Sequence, residues 1–382
     1  MKMNKEKLNI NAFLCFLIID TLINTACLFG QTVKNVMDYK QTASSFKLNG
    51  DTINYLKSIK EGFSLYPEDS YFLNALINYY GEKKHEEVVI AYLDTLLKNK
   101  PDSKFFWNAK SVVCVDMKQY QEAADCLLKA IKIDPQDENL FNNLGAAYRN
   151  LKKYEEAILC FKAVIQIDPN QASYYYNLGT VFVDMGNYAE AIKEFQKAAQ
   201  LQPDYLNALF ALGVVNQTMK KYPEAIENYK KALAINPESE IFCEKLGYVY
   251  SLIEKYEEAA SYYIRAVELR PQYVELYKKI GYDYYNAMKY EEAITYYNKY
   301  LQSKPYDTDT YYIIGTAYCQ LAQDAQEPNK KKNYLEAKLY LEKARLLKPA
   351  SKGLWGKHLV IVYKNLGMQS EYEEVRSLLS KP

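Results

Sequence analysis

The sequence predicts an all-α protein, an α-solenoid of about nine tandem helix–turn–helix repeats of 34 residues closed by a C-terminal helical cap. Three observations predict it. A proline returns every 34 residues, at Pro67, Pro101, Pro135, Pro169, Pro203, Pro237, Pro271 and Pro305. One phrase leads into it, as in YQEAADCLLKAIKIDP (120–135), YEEAILCFKAVIQIDP (154–169) and YEEAASYYIRAVELRP (256–271). Each unit also carries two stretches of helical apolar periodicity around a short polar break, such as NLKK (150–153) or DMGN (184–187). A single hairpin of that kind cannot bury its apolar face alone, so neighbours must stack.

Residues 1–30 read as a signal peptide. A basic-leaning head, MKMNKEK, precedes the eight-residue apolar run Ala12–Ile19 and then TACLFGQT. The run is far shorter than the roughly 20 residues that span a bilayer, and Asp20 and Asn24 interrupt its continuation. Cleavage is expected after Gly30. The competing readings are a lipid anchor at Cys27, which Asn24 fits poorly, and an uncleaved leader. The expected location is exported, periplasmic or cell-envelope associated, and cytoplasmic should the leader not be a signal.

Residues 31–69 form a degenerate N-terminal repeat, which keeps the period while Gly62 takes the place of an alanine. Residues 70–351 are the tandem array. With the proline set at repeat position 32, position 8 holds Gly145, Gly179, Gly213, Gly247, Gly281 and Gly315, and position 20 holds Ala157 and Ala191. Glycine in a helix costs roughly 1 kcal/mol, so close packing of the two helices must offset it. Large residues at positions 4, 11 and 24 fill the space around that contact. Pro169, Pro203 and their equivalents end the second helix because proline lacks an N–H and restricts the residue before it. Asp102, Asp137, Asp204 and Asp307 come soon after and are expected to cap the next helix. The last proline, Pro349, comes ten residues late, which places a ten-residue insertion near 322–333, read as a solvated loop bearing Lys330, Lys331 and Lys332. Residues 352–382 give a final helix pair, around Trp355, Leu359, Tyr363 and Leu366, then Tyr372, Val375, Leu378 and Leu379.

This grammar resembles the tetratricopeptide repeat (TPR) family over about residues 36–351: aromatics at position 4 (Trp107, Phe141, Tyr175), leucines at position 7 (Leu144, Leu178, Leu212), the position 8 glycines, and Tyr148, Tyr154, Ala157, Phe161 and Val164 at positions 11, 17, 20, 24 and 27. The resemblance implies a right-handed superhelix whose first helices line a groove that holds extended peptides or partner helices.

First-helix positions 4, 7, 8 and 11 face the core, so positions 2, 5, 9, 12 and 13 lie on the other side, the face that the resemblance assigns to partners. Position 5 begins with a ladder, Asn74, Asn108 and Asn142, whose amides carry both donors and acceptors suited to the backbone of an extended chain. Replacing the three together is expected to weaken binding and leave melting nearly unchanged. Farther along, Tyr176, Phe210, Tyr248, Tyr282, Tyr285 and Tyr312 form an aromatic patch, with Lys278 among them. Aromatics carry much of the energy of protein contacts, although 39 tyrosines in this chain could place some in any face by composition alone.

The remaining signals exclude more than they assign. Lys and Arg number 48 against 47 Asp and Glu, an interspersed balance without a nucleic-acid footprint. The five cysteines beyond the leader lack metal or CxxC spacing and read as small buried or half-buried thiols. His85 and His358 stand in unrelated units, and no P-loop, GxGxxG, GxSxG or HExxH pattern occurs. Position 9 reads Ala146, Thr180, Val214, Tyr248, Tyr282 and Thr316, so the lysine–asparagine clamp that some TPR proteins use on a C-terminal carboxylate is missing. The expectation is a non-enzymatic scaffold with no catalytic residues, metal or cofactor. Its partner is another protein or peptide, and membrane contact is expected through the N-terminal segment only. The alternative is a structural component that self-assembles, or joins a membrane-associated assembly, through its repeat ends or convex face.

Overall fold

The computed structural model describes residues 35–82 and 85–380; the signal-peptide reading of residues 1–30, including Cys27 and the cut after Gly30, lies outside them. Among the described residues every regular element is an α-helix. The described residues divide into two compact units, the first ending at Leu201 and the second beginning at Gln202. In the first, five hairpins stand in order: α1 (Val36–Leu48) with α2 (Thr52–Leu65), α3 (Ser70–Glu82) with α4 (Glu86–Asn99), α5 (Lys104–Asp116) with α6 (Tyr120–Ile133), α7 (Glu138–Asn150) with α8 (Tyr154–Ile167), and α9 (Ala172–Asp184) with α10 (Tyr188–Leu201). The second continues with α11 (Leu206–Thr218) and α12 (Tyr222–Ile235), α13 (Glu240–Leu252) and α14 (Tyr256–Leu269), α15 (Glu275–Asn286) and α16 (Tyr290–Ser303), α17 (Thr308–Asp324) and α18 (Asn329–Leu347), and the cap, α19 (Lys352–Leu366) and α20 (Gln369–Ser380). Within each unit, the second helix of one hairpin packs on the first helix of the next. That serial stacking is the solenoid the 34-residue period required.

The small residues act on side chains as much as on backbones. A Cβ added at Gly179 would lie 2.6 Å from the ring of Phe195, and one at Gly281 would lie 2.8 Å from that of Tyr297. The aromatic at position 24 of the second helix thus occupies the space where the position 8 side chain would stand, and Gly145 meets Phe161 in the same way. Ala157 and Ala191 are fully buried beside these rings.

The turn inside each hairpin repeats as well. Position 15 is left-handed in Lys118, Lys152, Gly186, Lys220, Glu254 and Met288, with φ between 59° and 73°. Around Lys152 its own N–H donates to the Arg149 carbonyl at 2.9 Å and that of Lys153 to the Tyr148 carbonyl at 2.9 Å, the paired bonds of a Schellman motif. Those bonds satisfy carbonyls that the helix end leaves open, and only Gly186 among the six is the residue type that adopts this φ without strain.

Two expectations need correction. Asp137 and Asp307 do cap, accepting from the Asn139 and Thr310 backbone N–H at 3.1 and 2.8 Å. Asp102 and Asp204 do not: Ser103 caps α5 by accepting from Phe106 N–H at 3.4 Å, and α11 starts after Tyr205 without a side-chain cap. The insertion is not a loop. It lengthens α17 to 17 residues and α18 to 19, leaving only residues 325–328 between them. Lysine, glutamate, glutamine, alanine and leucine are good helix formers, so the segment propagates helices already nucleated on both sides.

Candidate partner-binding face

In the first unit, Asn74 stands exposed on α3, whereas Asn108 on α5 and Asn142 on α7 are half-buried. The last two are already engaged. Asn143 Nδ2 donates to Asn108 Oδ1 at 3.3 Å, and Asn177 Nδ2 donates to Asn142 Oδ1 at 2.8 Å. In each pair position 5 of one repeat accepts from position 6 of the next. The second unit repeats the rung with charge: Lys279 Nζ lies 2.7 Å from Glu244 Oε1. Half-buried Asn108 and Asn142 therefore hold hairpins together, so the expectation that the triple asparagine variant leaves melting unchanged is replaced by one of lowered stability. Position 6 carried the missing signal, a donor 35 residues after each of these acceptors.

The aromatic candidates separate by exposure. Tyr176 is half-buried, its ring 5.5 Å from that of Phe195. Phe210 leans inward, 6.1 Å from both Tyr229 and Phe242. The Tyr285 hydroxyl lies 3.3 Å from Thr316 Oγ1, and that of Tyr312 lies 3.5 Å from His358 Nδ1. Burial, and then Lys357, hold that imidazole below its ordinary pKa. The Lys278 ammonium sits 2.9 and 3.1 Å from the two carboxylate oxygens of Asp307 and 5.2 Å from the Tyr300 ring, so its charge is matched within the fold. Tyr248 and Tyr282 remain outward, 41% and 53% exposed.

Beside Tyr248 stand two residues that periodicity alone does not single out. Ile241 and Leu252, 50% and 42% exposed, occupy positions 2 and 13 of the same helix. Residues 241, 248 and 252 fall within an arc of about 40° on α13. Three neighbouring charges, Glu244, Lys279 and Lys278, are all paired. The face is thus apolar and aromatic, with the half-buried Lys245 of the same helix beside it.

Beneath it lies a carboxyl group at a core position. Asp283, on α15, is fully buried where the other repeats place Val113, Ala147, Val181, Val215, Val249 and Ala317. Ser251 Oγ donates to its Oδ1 at 2.7 Å, while Oδ2 has no partner. Burial pushes its pKa up to about 7, against the opposing pull of the Ser251 hydrogen bond and the Lys279 charge. The cysteines sit as expected: Cys114, Cys126, Cys160, Cys243 and Cys319 are free and buried. Burial lifts the Cys160 and Cys319 thiols to about 11 and about 12, away from the thiolate that reactivity needs. No group of three metal-ligating side chains gathers among the described residues, and no described helix is long and apolar enough to cross a membrane.

Similarity to known proteins tracks the repeats. Tetratricopeptide repeat patterns match residues 170–238 and 246–308, and a TPR repeat pattern matches residues 113–152 and 147–186. Among solved structures, the C-terminal part of a TPR repeat-containing protein from Cytophaga hutchinsonii is similar over 60% of this chain and 95% of its own, at 18% identity and a TM-score of 0.53. That likeness concerns the fold. MamA is 26% identical over 44% of this chain and 92% of its own, with a TM-score of 0.41. YrrB, described as a TPR protein with an unusual peptide-binding site, is 18% identical over 48% of this chain and 95% of its own, with a TM-score of 0.40. No curated protein matches the sequence.

Proposed function

This chain is a tetratricopeptide repeat protein, and from that premise we propose that it is an exported, non-catalytic scaffold that holds a segment of another protein against the first-helix face of its repeats. One observation carries the reading. Ile241, Tyr248, Leu252 and Tyr282 leave an apolar and aromatic strip open to solvent while the neighbouring Glu244 and Lys279 neutralise each other. Apolar and aromatic side chains gathered into one exposed patch mark interaction sites, and tyrosines carry much of the binding energy where a partner meets them. The occupant is an extended stretch or helix that is apolar where it meets α13 and α15. Export is supported by the basic head and apolar run before residue 30.

The test is capture from a cell-envelope extract by the full chain, with mass spectrometry of what is retained, repeated with Tyr248→Ala/Tyr282→Ala. Both residues are exposed, so the variant should keep the parent's helicity. Loss of the captured protein by at least tenfold is expected. Equal capture by parent and variant would remove this strip from the function.

A further inference from the structure

The second helices turn a different face outward, and α18 is unlike the others there. Helices α12, α14 and α16 expose charges of both signs: Glu224 and Glu227 with Lys230 and Lys231, Glu257 and Glu258 with Arg265, Glu291 and Glu292 with Lys299. Beyond Asn329, the exposed residues of α18 are three lysines, Lys331, Lys332 and Lys343, and three leucines, Leu335, Leu339 and Leu346. The leucines are 50%, 63% and 71% exposed. At about 100° per residue the three fall within an arc of about 40°. Together with residue 342 they keep the 4-3-4 spacing of a coiled-coil seam. Glu342 fills the remaining place, and its carboxylate accepts from the Tyr363 hydroxyl at 2.9 Å. Arg345 on the same helix is bound by Glu374 of α20 at 2.6 Å. Of the half-buried charges beside the leucines, Lys338 lies 3.9 Å from Glu342 and Glu336 is the one other acid, so the fully exposed charges along this seam are the three lysines.

We propose that α18 docks an acidic amphipathic helix of a partner protein, its leucines set against Leu335, Leu339 and Leu346 and its carboxylates against Lys331, Lys332 and Lys343. The charge pattern selects this occupant. A second copy offering the same face would set lysine against lysine. An anionic bilayer pressed flat on the unit would also meet Glu291 and Glu292 of α16 and Glu373 of α20, all exposed. It would need, besides, an apolar arc far wider than this one. A single helix lying along α18 meets the seam and its lysines alone.

The probe is a labelled synthetic helix of about four heptads with leucine at its core positions and glutamate at the flanking ones, which keep it from pairing with itself at neutral pH. Its twin carries lysine in place of glutamate. Fluorescence anisotropy with the full chain should show at least tenfold tighter binding of the acidic peptide, weakening as salt rises. Leu339→Gln/Leu346→Gln and, separately, Lys331→Glu/Lys332→Glu should each reduce that binding at least tenfold with helicity intact. Leu159→Gln, at an exposed leucine of α8, should leave it unchanged. Equal affinity for the two peptides, indifference to the α18 substitutions, or binding to phosphatidylserine vesicles without binding to the peptide would overturn the proposal.

Discussion

Asp283 offers the sharpest test of how α13 to α16 pack. A group whose folded pKa lies above its unfolded one stabilises the fold less as pH rises. Below the unfolded value near 3.8 both states are protonated and nothing is lost; as pH climbs through about 7 the folded state must ionise a buried carboxyl. A difference of about three units corresponds to roughly 4 kcal/mol, lost between about pH 4 and pH 7. The groups facing it are Ser251 of α13, Tyr256 and Tyr263 of α14, Lys279 of its own helix, and Tyr297 of α16. Asp283→Val installs the residue that positions 113, 181, 215 and 249 already hold. Leaving the Ser251 hydroxyl without its acceptor costs about 1 kcal/mol. The net gain should be about 3 kcal/mol at pH 8 and below about 1 kcal/mol at pH 5. Urea unfolding of parent and variant across that range measures it, with amide exchange in α13 to α16 locating the effect, since stability in a repeat array is local. A variant whose advantage is the same at both pH values, or which is less stable than the parent at pH 8, would refute the reasoning.

Two further substitutions probe the repeat grammar. Gly179→Val should destabilise its unit by about 3 kcal/mol or more because the Phe195 ring occupies the site; pairing it with Phe195→Leu should recover part of the loss in thermal melting, and equal melting of parent and Gly179→Val would contradict the contact. Met288→Gly should stabilise by about 0.5–1 kcal/mol, since it relieves a left-handed φ of 61°, while Gly186→Ala should cost about 1 kcal/mol at the equivalent turn; matched urea midpoints would show both signs.

The sequence made the helices legible because a fixed proline and a fixed apolar phase repeat often enough to outvote local ambiguity. It did not make the insertion legible. Pro328 and three consecutive lysines look like a loop, yet the stretch around them has strong helix formers and two helices to extend. The left-handed turns were hidden too, because lysine, glutamate and methionine hold five of six places where glycine would have announced them. At the candidate site, periodicity identified the helix face turned away from the hairpin core but not which side chains on it are available. Asn108, Asn142 and Lys278 look free in one dimension and are engaged in three, since their partners lie 29 to 35 residues away. Ile241 and Leu252 were on the predicted face, but only their exposure distinguishes them from core residues of the same type.

The rungs between positions 5 and 6 also bear on rearrangement of such an array. An asparagine rung and a glutamate–lysine rung are not interchangeable plugs: moving the hairpin that bears Lys279 next to the one that bears Asn108 would set an ammonium against an amide and strand Glu244 elsewhere. The hairpins joined by these three rungs therefore carry a key to their neighbours, and a shuffled or shortened array should be built by cutting where no key is broken.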